Sequence, residues 1–318
     1  MPLILPCIVL LTSLGLTAPV LAASVSQHLA IVVNQDDPQS KRIADYYQIK
    51  RGIPDKHVIT VSLPVDKNII SREQFEQLYQ QVKNATPPAV QFYALAWSRP
   101  FRAGCMSITS AFAFGYDEAY CAKGCKGTRQ SAYFNAATRQ PNADFGIRPS
   151  MMLAGSSLEQ VRDMIDRGVA ADASRPQGTA YLVRTTDKAR NVRSHFYPAA
   201  AERLGQRINI QIENTNALTG KEDVLFYFTG LVRVKQIESN RFVDGAIADH
   251  LTSSGGVLFD GSQMSILRWL DAGATASYGT VVEPCAFPQK FPHPAVVIDR
   301  YTRGETLIEA YWKSVAWP

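Results

Sequence analysis

Hydrophobic residues follow two alternating patterns along most of the chain. Short apolar runs such as Leu29–Val33 and Val224–Phe228 are typical of buried strands, and they alternate with amphipathic segments of helical period. The clearest helical segment follows Ser71, because Ser71 and Gln74 form a capping box and apolar residues then recur at helical spacing. This alternation predicts an α/β fold with a mostly parallel sheet flanked by helices.

The predicted elements extend over nearly the whole chain. The strands are Leu29–Val33, Val58–Leu63, Val90–Trp97, Thr179–Val183, Ile208–Ile212, Val224–Phe228, Gly256–Phe259 and Thr275–Val282. The helices follow Ser40, Ser71 and Ser157, and cover Arg190–Leu204, Gly245–Leu251, Gln263–Asp271 and Glu305–Val315. We expect an N-terminal half, 24–170, and a C-terminal half, 171–318, although no linker marks the boundary.

Residues 1–23 have the pattern of a secretory signal peptide. Leu3–Leu16 is largely apolar, and the small residues Ala22 and Ala23 precede Ser24. The apolar run is too short to span a bilayer comfortably. Because the first residues carry no Lys or Arg, a retained anchor or a buried N-terminal helix is the alternative. We expect cleavage after Ala22 or Ala23, no transmembrane segment afterwards, and a periplasmic or extracellular location.

Composition and charge exclude some classes of function. The chain is 46% hydrophobic and 19% charged, as in ordinary globular proteins. Its formal charge of +5 is spread along the sequence and forms no basic tract, which argues against nucleic-acid binding. The motifs of common hydrolases, nucleotide-binding proteins, zinc proteases and dehydrogenases are absent from the sequence, so no cofactor is predicted. The sequence identifies no partner.

Four cysteines remain after removal of the leader: Cys105, Cys121, Cys125 and Cys285. An even number in an oxidising compartment predicts disulfides, and we expect the pairs Cys121–Cys125 and Cys105–Cys285. Zinc at Cys121 and Cys125 is the alternative, but no second Cys or His pair has close spacing, so no metal is predicted. Residues 98–150 hold three of these cysteines and show little periodicity. We expect them to form a disulfide-tied insertion over one edge of the sheet.

Polar or glycine residues follow three of the predicted strands: Thr229 and Gly230, then Asp260 and Ser262, then Glu283. Carboxyl ends of neighbouring parallel strands share one edge of a sheet, where α/β proteins bind ligands. Thr229, Gly230 and Ser262 are therefore candidate ligand-binding residues. Asp260 and Glu283 are a candidate acid–base or cation-binding pair. Helix capping by Asp260 and Ser262, and an ion pair of Glu283 at the surface, are the alternatives.

Two further side chains are candidates for catalysis. His250 follows Asp249 and is a candidate base, whereas a solvated Asp-His pair on a helix is the alternative. Cys285 is a candidate nucleophile, whereas a disulfide is the alternative.

Three blocks of the sequence resemble an uncharacterised exported bacterial family. They are VVNQDDPQSKRIADYYQIKRGIP, FGIRPSMMLAG with the following DRGVAAD, and Asp249–Pro318, which contains SYGTVVEPC and GETLIEAYWKSV. The resemblance implies no assigned activity. The second half is also similar in layout to gingipain and caspase-like cysteine peptidases, which place His-Gly after one central strand and Cys after the next. This chain has Thr229 and Gly230 at the first position, and Asp260 to Ser262 at the second, so the resemblance implies the fold without the peptidase chemistry.

Two functions remain open at this point. The first is a binding or scaffold protein of the cell envelope on a degenerate caspase-like fold. The second is a hydrolase with a rearranged active site of Asp260, Glu283, His250 and Cys285. A free, reactive Cys285 thiol favours the hydrolase, and a disulfide removes this residue from catalysis.

Overall fold

Two four-stranded sheets, both entirely parallel, organise the chain, one in each half. The computed structural model describes residues 26–318. The predicted signal peptide lies outside the described residues. A small three-stranded sheet accompanies the first of the two large ones. The predicted α/β class with mostly parallel strands is confirmed, with two large sheets in place of one.

The elements are numbered in chain order. The strands are β1 (Leu29–Asn34), β2 (Val58–Val61), β3 (Ile69–Ile70), β4 (Phe92–Leu95), β5 (Arg102–Ala103), β6 (Met106–Ser107), β7 (Ser150–Met152), β8 (Thr179–Arg184), β9 (Asn209–Asn214), β10 (Val224–Thr229) and β11 (Phe242–His250). The helices are α1 (Pro38–Arg51), α2 (Arg72–Ala85), α3 (Ile108–Phe114), α4 (Pro141–Phe145), α5 (Leu158–Ala170), α6 (Tyr197–Leu204), α7 (Leu267–Asp271), α8 (Pro294–Thr302) and α9 (Leu307–Ser314). Within residues 26–318, none of the helices combines the length and the apolar character needed to cross a bilayer.

The N-terminal sheet has the strand order β2-β1-β4-β7. Every residue of β1 is buried, which suits a central strand covered on both faces. Helix α1 starts after the Asp37 cap and ends at Gly52, whose φ of +60° is accessible to glycine without steric cost. Helix α2 starts with the predicted capping box of Ser71 and Gln74. Local signals in the sequence therefore set the ends of these helices.

The C-terminal sheet has the order β9-β8-β10-β11. Numbered within its own half, each large sheet has the order 2-1-3-4. Helices α1 and α5 pack on one face of the first sheet, and α2 and α3 pack on the other. The second sheet is covered by α6, α8 and α9 on one face and by α7 on the other. Both halves are thus doubly wound, and such folds bind ligands at the carboxyl ends of their strands.

The structure corrects the prediction for the segment Gly245–Leu251, which is not a helix but largely part of β11. It consists mainly of small and apolar residues that suit a buried strand as well as a helix, and pairing with β10 decides between them. The predicted strands Gly256–Phe259 and Thr275–Val282 are also wrong. In Thr275–Val282, the strand pairing is limited to one parallel bridge between Ala276 and Ile247.

The chain after β11 connects the two sheets. The helix predicted at Gln263–Asp271 is shortened to α7. Leu267 and Leu270 of α7 pack in the core of the first sheet, and Trp269 packs in the core of the second. The segment thus packs between the two sheets and adds no further strand to the second one.

The cysteine-rich insertion is tied by two disulfides, but the predicted pairing is wrong. Cys105 is bonded to Cys121, and Cys125 is bonded to Cys285. Cys121 is buried beside Cys105 in the core of the first sheet, whereas Cys125 is exposed and lies against the C-terminal half. Proximity along the chain therefore does not decide the pairing.

The insertion also belongs to the core of the first half. Its helix α3 carries Phe112, which is fully buried and packs edge-on against Tyr93 of β4 at 6.0 Å and against Phe75 of α2 at 5.4 Å. The insertion predicted over a sheet edge is therefore in part a layer of the fold.

Replacing both cysteines of the Cys125–Cys285 bond by serine is expected to destabilise the protein by about 2 kcal/mol more than C105S/C121S. The two bonds join residues 160 and 16 positions apart. On the loop-entropy view they contribute about 5 and about 3 kcal/mol respectively. Urea denaturation of the two double variants measures the difference. An equal loss, or a larger loss in C105S/C121S, would contradict it.

Candidate functional site at the carboxyl edge of the second sheet

The carboxyl ends of β8, β10 and β11 lie side by side at one edge of the second sheet. These strands end at Arg184, Thr229 and His250, and β10 pairs in parallel with both of its neighbours. Of the three strand exits expected from the sequence, only the one after β10 follows a strand. The edge is therefore formed by the segments after β8, β10 and β11, which differ in part from those expected.

Thr229 and Gly230 lie at this edge, as expected. A Cβ atom at Gly230 would stand 1.9 Å from the carbonyl oxygen of Arg190, so only glycine fits there. Thr229 is buried, and its carbonyl accepts hydrogen bonds from the Arg193 guanidinium and from the N–H of Leu251, both at 2.9 Å. The Thr229 hydroxyl has no hydrogen-bond partner in the described part of the chain. The backbone after β10 is thus held against the segment after β8.

His250 is fully buried on the opposite face of the sheet from Asp249, because successive residues of a strand point to opposite sides. The indole N–H of Trp269 donates to Nδ1 at 3.0 Å, so Nε2 carries the hydrogen that is donated to the Met264 carbonyl at 3.1 Å. Burial lowers the pKa of His250 to about 3. Both ring nitrogens are therefore occupied, and the side chain is a neutral part of the core.

Glu283 and Cys285 belong to one turn. The Glu283 carboxylate is buried and accepts hydrogen bonds from the backbone N–H groups of Cys285 (3.0 Å), Ala286 (2.7 Å) and Phe287 (3.1 Å). The sulfur of Cys285 is bonded to Cys125 and offers no thiol. Both side chains thus have structural partners that occupy their reactive atoms.

The surface ion pair that is the alternative for Glu283 is not formed with Lys290, since among residues 26–318 no salt bridge within 4.0 Å joins their charged atoms. The Lys290 ammonium instead donates to the Thr128 hydroxyl at 3.0 Å. Burial lowers the pKa of Lys290 to about 8.

Asp260 and Ser262 lie on an exposed loop that joins the carboxyl edges of the two sheets. The Asp260 side chain is 78% exposed and pairs with Arg99, which follows β4, at 3.3 Å. Arg233, which follows β10, donates to the Ser262 carbonyl at 3.4 Å. Neither residue caps α7, whose N-cap residue is Ile266 and which has no side-chain capping hydrogen bond. A surface pair of this kind contributes at most about 1 kcal/mol.

The structure brings together Arg193 and Asp249, which the sequence analysis did not select. Their charged atoms lie 2.6 Å apart, with side-chain exposures of 1% and 0%. The guanidinium also donates to the Thr229 and Pro292 carbonyls and lies 5.1 Å from the centre of the Phe228 ring. Burial raises the pKa of the Asp249 carboxyl, and the guanidinium opposes that shift. Nothing in the sequence pattern distinguished Arg193 from an exposed helical residue.

Titratable groups with shifted pKa values surround this ion pair. Burial raises the pKa of Tyr197 to about 12, and it raises those of Tyr278 and Tyr311 as well. It lowers the pKa of His293 to about 4. Such clusters are typical of functional sites, although structural ion pairs produce them too.

A hydrogen-bonded chain of polar side chains, which we term the exit network, joins the exits of β8 and β11. It consists of Asp187, Arg190, Thr252 and Gln263. Arg190 Nη1 binds Asp187 at 3.1 Å and Nε donates to the Thr252 hydroxyl at 3.1 Å, which in turn donates to Gln263 Oε1 at 2.7 Å. The Ser254 N–H also donates to Gln263 Oε1 at 2.9 Å, which fixes the orientation of the amide. These contacts hold Arg190 and Gln263 in defined positions.

Two donors of the exit network remain available. Among the residues that the structure describes, Arg190 Nη2 and Gln263 Nε2 have no hydrogen-bond partner, and both side chains are partly exposed. A guanidinium N–H and an amide N–H are both donors from which an oxyanion can accept a hydrogen bond. Thr252 is not among the residues selected from the sequence, because the pattern of Gly245–Leu251 predicts a helix there. Interpreted as a strand, that segment places Thr252 at a strand exit.

Across residues 26–318, no group of three or more His, Cys, Asp and Glu side chains is arranged to hold a metal ion.

Stability is expected to fall as the pH drops below about 6.5, in part because of His250. The unfolded histidine binds a proton below its ordinary pKa near 6.5, whereas the folded one does so only near 3. As the pH falls, the unfolded state therefore binds a proton before the folded state does. This lowers the free energy of unfolding by about 2 kcal/mol between pH 8 and pH 5. Urea denaturation at both pH values should show that H250Q loses about 2 kcal/mol less than the wild type over this interval. The same loss in both proteins would rule out this role of His250.

The variant R193M is expected to destabilise the protein by about 3–5 kcal/mol, because it leaves Asp249 buried without its partner. The double variant R193M/D249L should cost less than the sum of the two single substitutions, since no charge then remains in the core. Denaturation of the wild type, both single variants and the double variant gives the coupling energy. Additive losses would mean that the two side chains do not stabilise each other.

Comparison with known proteins gives no assignment: no family model, no curated protein and no solved structure matches this chain.

Proposed function

We propose that this protein is an exported protein of the cell envelope that binds a ligand carrying an oxyanion, such as a carboxylate, without transforming it. The ligand binds at the exit network, at the carboxyl edge of the second sheet. The observation that carries this proposal is the pair of anchored donors, Arg190 Nη2 and Gln263 Nε2, at the edge where doubly wound folds bind ligands.

The anchoring of these donors favours binding. Arg190 is fixed through its other two nitrogens and Gln263 through its carbonyl oxygen, so little side-chain entropy remains to be lost when a ligand arrives. Charged hydrogen bonds from a guanidinium to a carboxylate are among the stronger ones in proteins.

The state of the candidate catalytic groups supports binding over hydrolysis. Cys285 is in a disulfide, and His250 has both ring nitrogens occupied in the core. The carboxylate of Glu283 is occupied by three backbone donors. Asp260 alone is exposed, and it pairs with Arg99. A hydrolase with these four residues would need at least one free nucleophile or base at the site.

The proposal includes a degenerate caspase-like layout for the second half. In that layout, the His position follows β10, at Thr229 and Gly230. The Cys position follows β11. It therefore falls at Leu251 and Thr252, and not at Asp260–Ser262 as the sequence predicts. The first position has no imidazole and the second has no thiol, so such a fold would serve as a binding scaffold. Two disulfides are compatible with export to an oxidising compartment.

Titration with acetate, succinate and N-acetylalanine, followed by calorimetry, tests the proposed site. R190A and Q263A are expected to weaken binding, R190A by roughly 10- to 100-fold, since a charged hydrogen bond contributes about 1.5–3 kcal/mol. K188A is the matched control, because Lys188 is a neighbouring cation outside the exit network, and it should retain most of the affinity. Binding that survives R190A, or no binding of any carboxylate, would refute the proposal.

Turnover assays separate the two functions. The wild type is incubated with chromogenic esters and a mixture of peptides, beside D260N and E283Q. The proposal expects no product above the rate without protein. Turnover that is lost in D260N or E283Q would establish the hydrolase in place of the binding protein.

A further inference from the structure

A second groove lies on the N-terminal half, where α2 meets the segment that follows α3. Its volume is about 600 Å³, within the range of small-molecule sites. It is lined by Glu76, Gln77, Tyr79, Gln80, Gly115 and Tyr116. None of these residues belongs to the exit network, so the groove is independent of the function proposed above.

Two tyrosine rings form the apolar part of this groove, and the core holds both in place. Tyr79 stacks on Phe75 at 5.5 Å and meets Phe112 edge-on at 6.2 Å. The Tyr116 hydroxyl donates to the sulfur of Cys105 at 3.2 Å, within the Cys105–Cys121 disulfide. The hydroxyl of Tyr116 is thus turned towards the protein, and both rings are partly exposed.

Gly115 keeps the space beside the Tyr79 ring open. A Cβ atom at this position would already be 3.6 Å from Cε1 of Tyr79, so a longer side chain would extend over the ring. The φ of Gly115 is +78°, in the left-handed region that favours glycine.

The polar part of the groove is electrically neutral. Gln77 and Gln80 are exposed on α2, and their amides have no hydrogen-bond partner among the described residues. Glu76 pairs with Arg72 at 2.7 Å, and the Arg72 guanidinium lies 5.3 Å from the Tyr116 ring centre. The two charges offset each other, so the groove offers amide donors and acceptors beside aromatic rings.

This combination matches the surface of a sugar. A pyranose ring has an apolar face of C–H groups that packs on an aromatic ring, and a rim of hydroxyls that pairs with amides as both donor and acceptor. A purely aliphatic ligand would leave both amides without partners, and an ionic ligand would meet no unpaired charge. We infer that this groove is a binding site for a neutral saccharide, which packs on Tyr116 and Tyr79 and hydrogen-bonds to Gln77 and Gln80.

Saturation-transfer difference NMR with cellotriose and chitotriose as probes tests this site on the full-length protein. Q77A/Q80A is expected to weaken binding roughly tenfold or more, since each substitution removes about one hydrogen bond of about 1 kcal/mol. Both glutamines are exposed on a helix, where alanine is well tolerated, so this variant should fold. Y116A should also lose binding, whereas Y116F should keep it, because the Tyr116 hydroxyl points away from the sugar.

The matched control is N84A, which removes an exposed amide from the same helix outside the groove. It should bind the trisaccharides as the wild type does, and R190A should do the same. The inference is overturned if the wild type shows no transfer to either trisaccharide. It is also overturned if binding survives Q77A/Q80A and Y116A, or if N84A abolishes it equally.

Discussion

The buried ion pair of Arg193 and Asp249 is the interaction on which the carboxyl edge of the second sheet depends. An unpaired charge in a protein core costs several kcal/mol, so the end of β11 and the segment after β8 have to meet. The same guanidinium donates to the carbonyl of Thr229, at the end of β10, and to that of Pro292, just before α8. One side chain therefore sets the relative positions of three strand exits and of a helix that covers them.

The exit network follows from that arrangement. Arg190 lies three residues before Arg193, so fixing the second residue also places the first beside Thr252. Gly230 permits this close approach, because any side chain there would collide with the carbonyl of Arg190. Donors that are held before a ligand arrives favour recognition, since less entropy is lost on binding. Cys285 and His250, the candidate nucleophile and base, are both occupied by structural partners, which favours the proposal of a binding protein.

The two halves share a strand order and are held together by short segments with contacts to both. Helix α7 packs against both sheets, and the loop with Asp260 and Ser262 connects Arg99 with Arg233 across their carboxyl edges. The groove proposed to bind a saccharide depends on a different part of the fold, where α2 and α3 cover the first sheet. The two proposed sites thus lie on different halves, and each has its own rigid support.

The sequence by itself determined the elements whose signals are local. The wholly apolar runs became β1 and β10, and Ser71 starts α2 through its capping box, because a strand core or a helix cap needs only neighbouring residues. The exit of β10 could also be predicted from its apolar run, whereas the exits expected at Asp260 and Glu283 do not follow strands. The tertiary structure alone decided that Gly245–Leu251 is largely strand, that Cys125 pairs with Cys285, and that Arg193 is buried. Each of these outcomes depends on a partner far away in the chain, and a pattern of neighbouring residues carries no information about that partner.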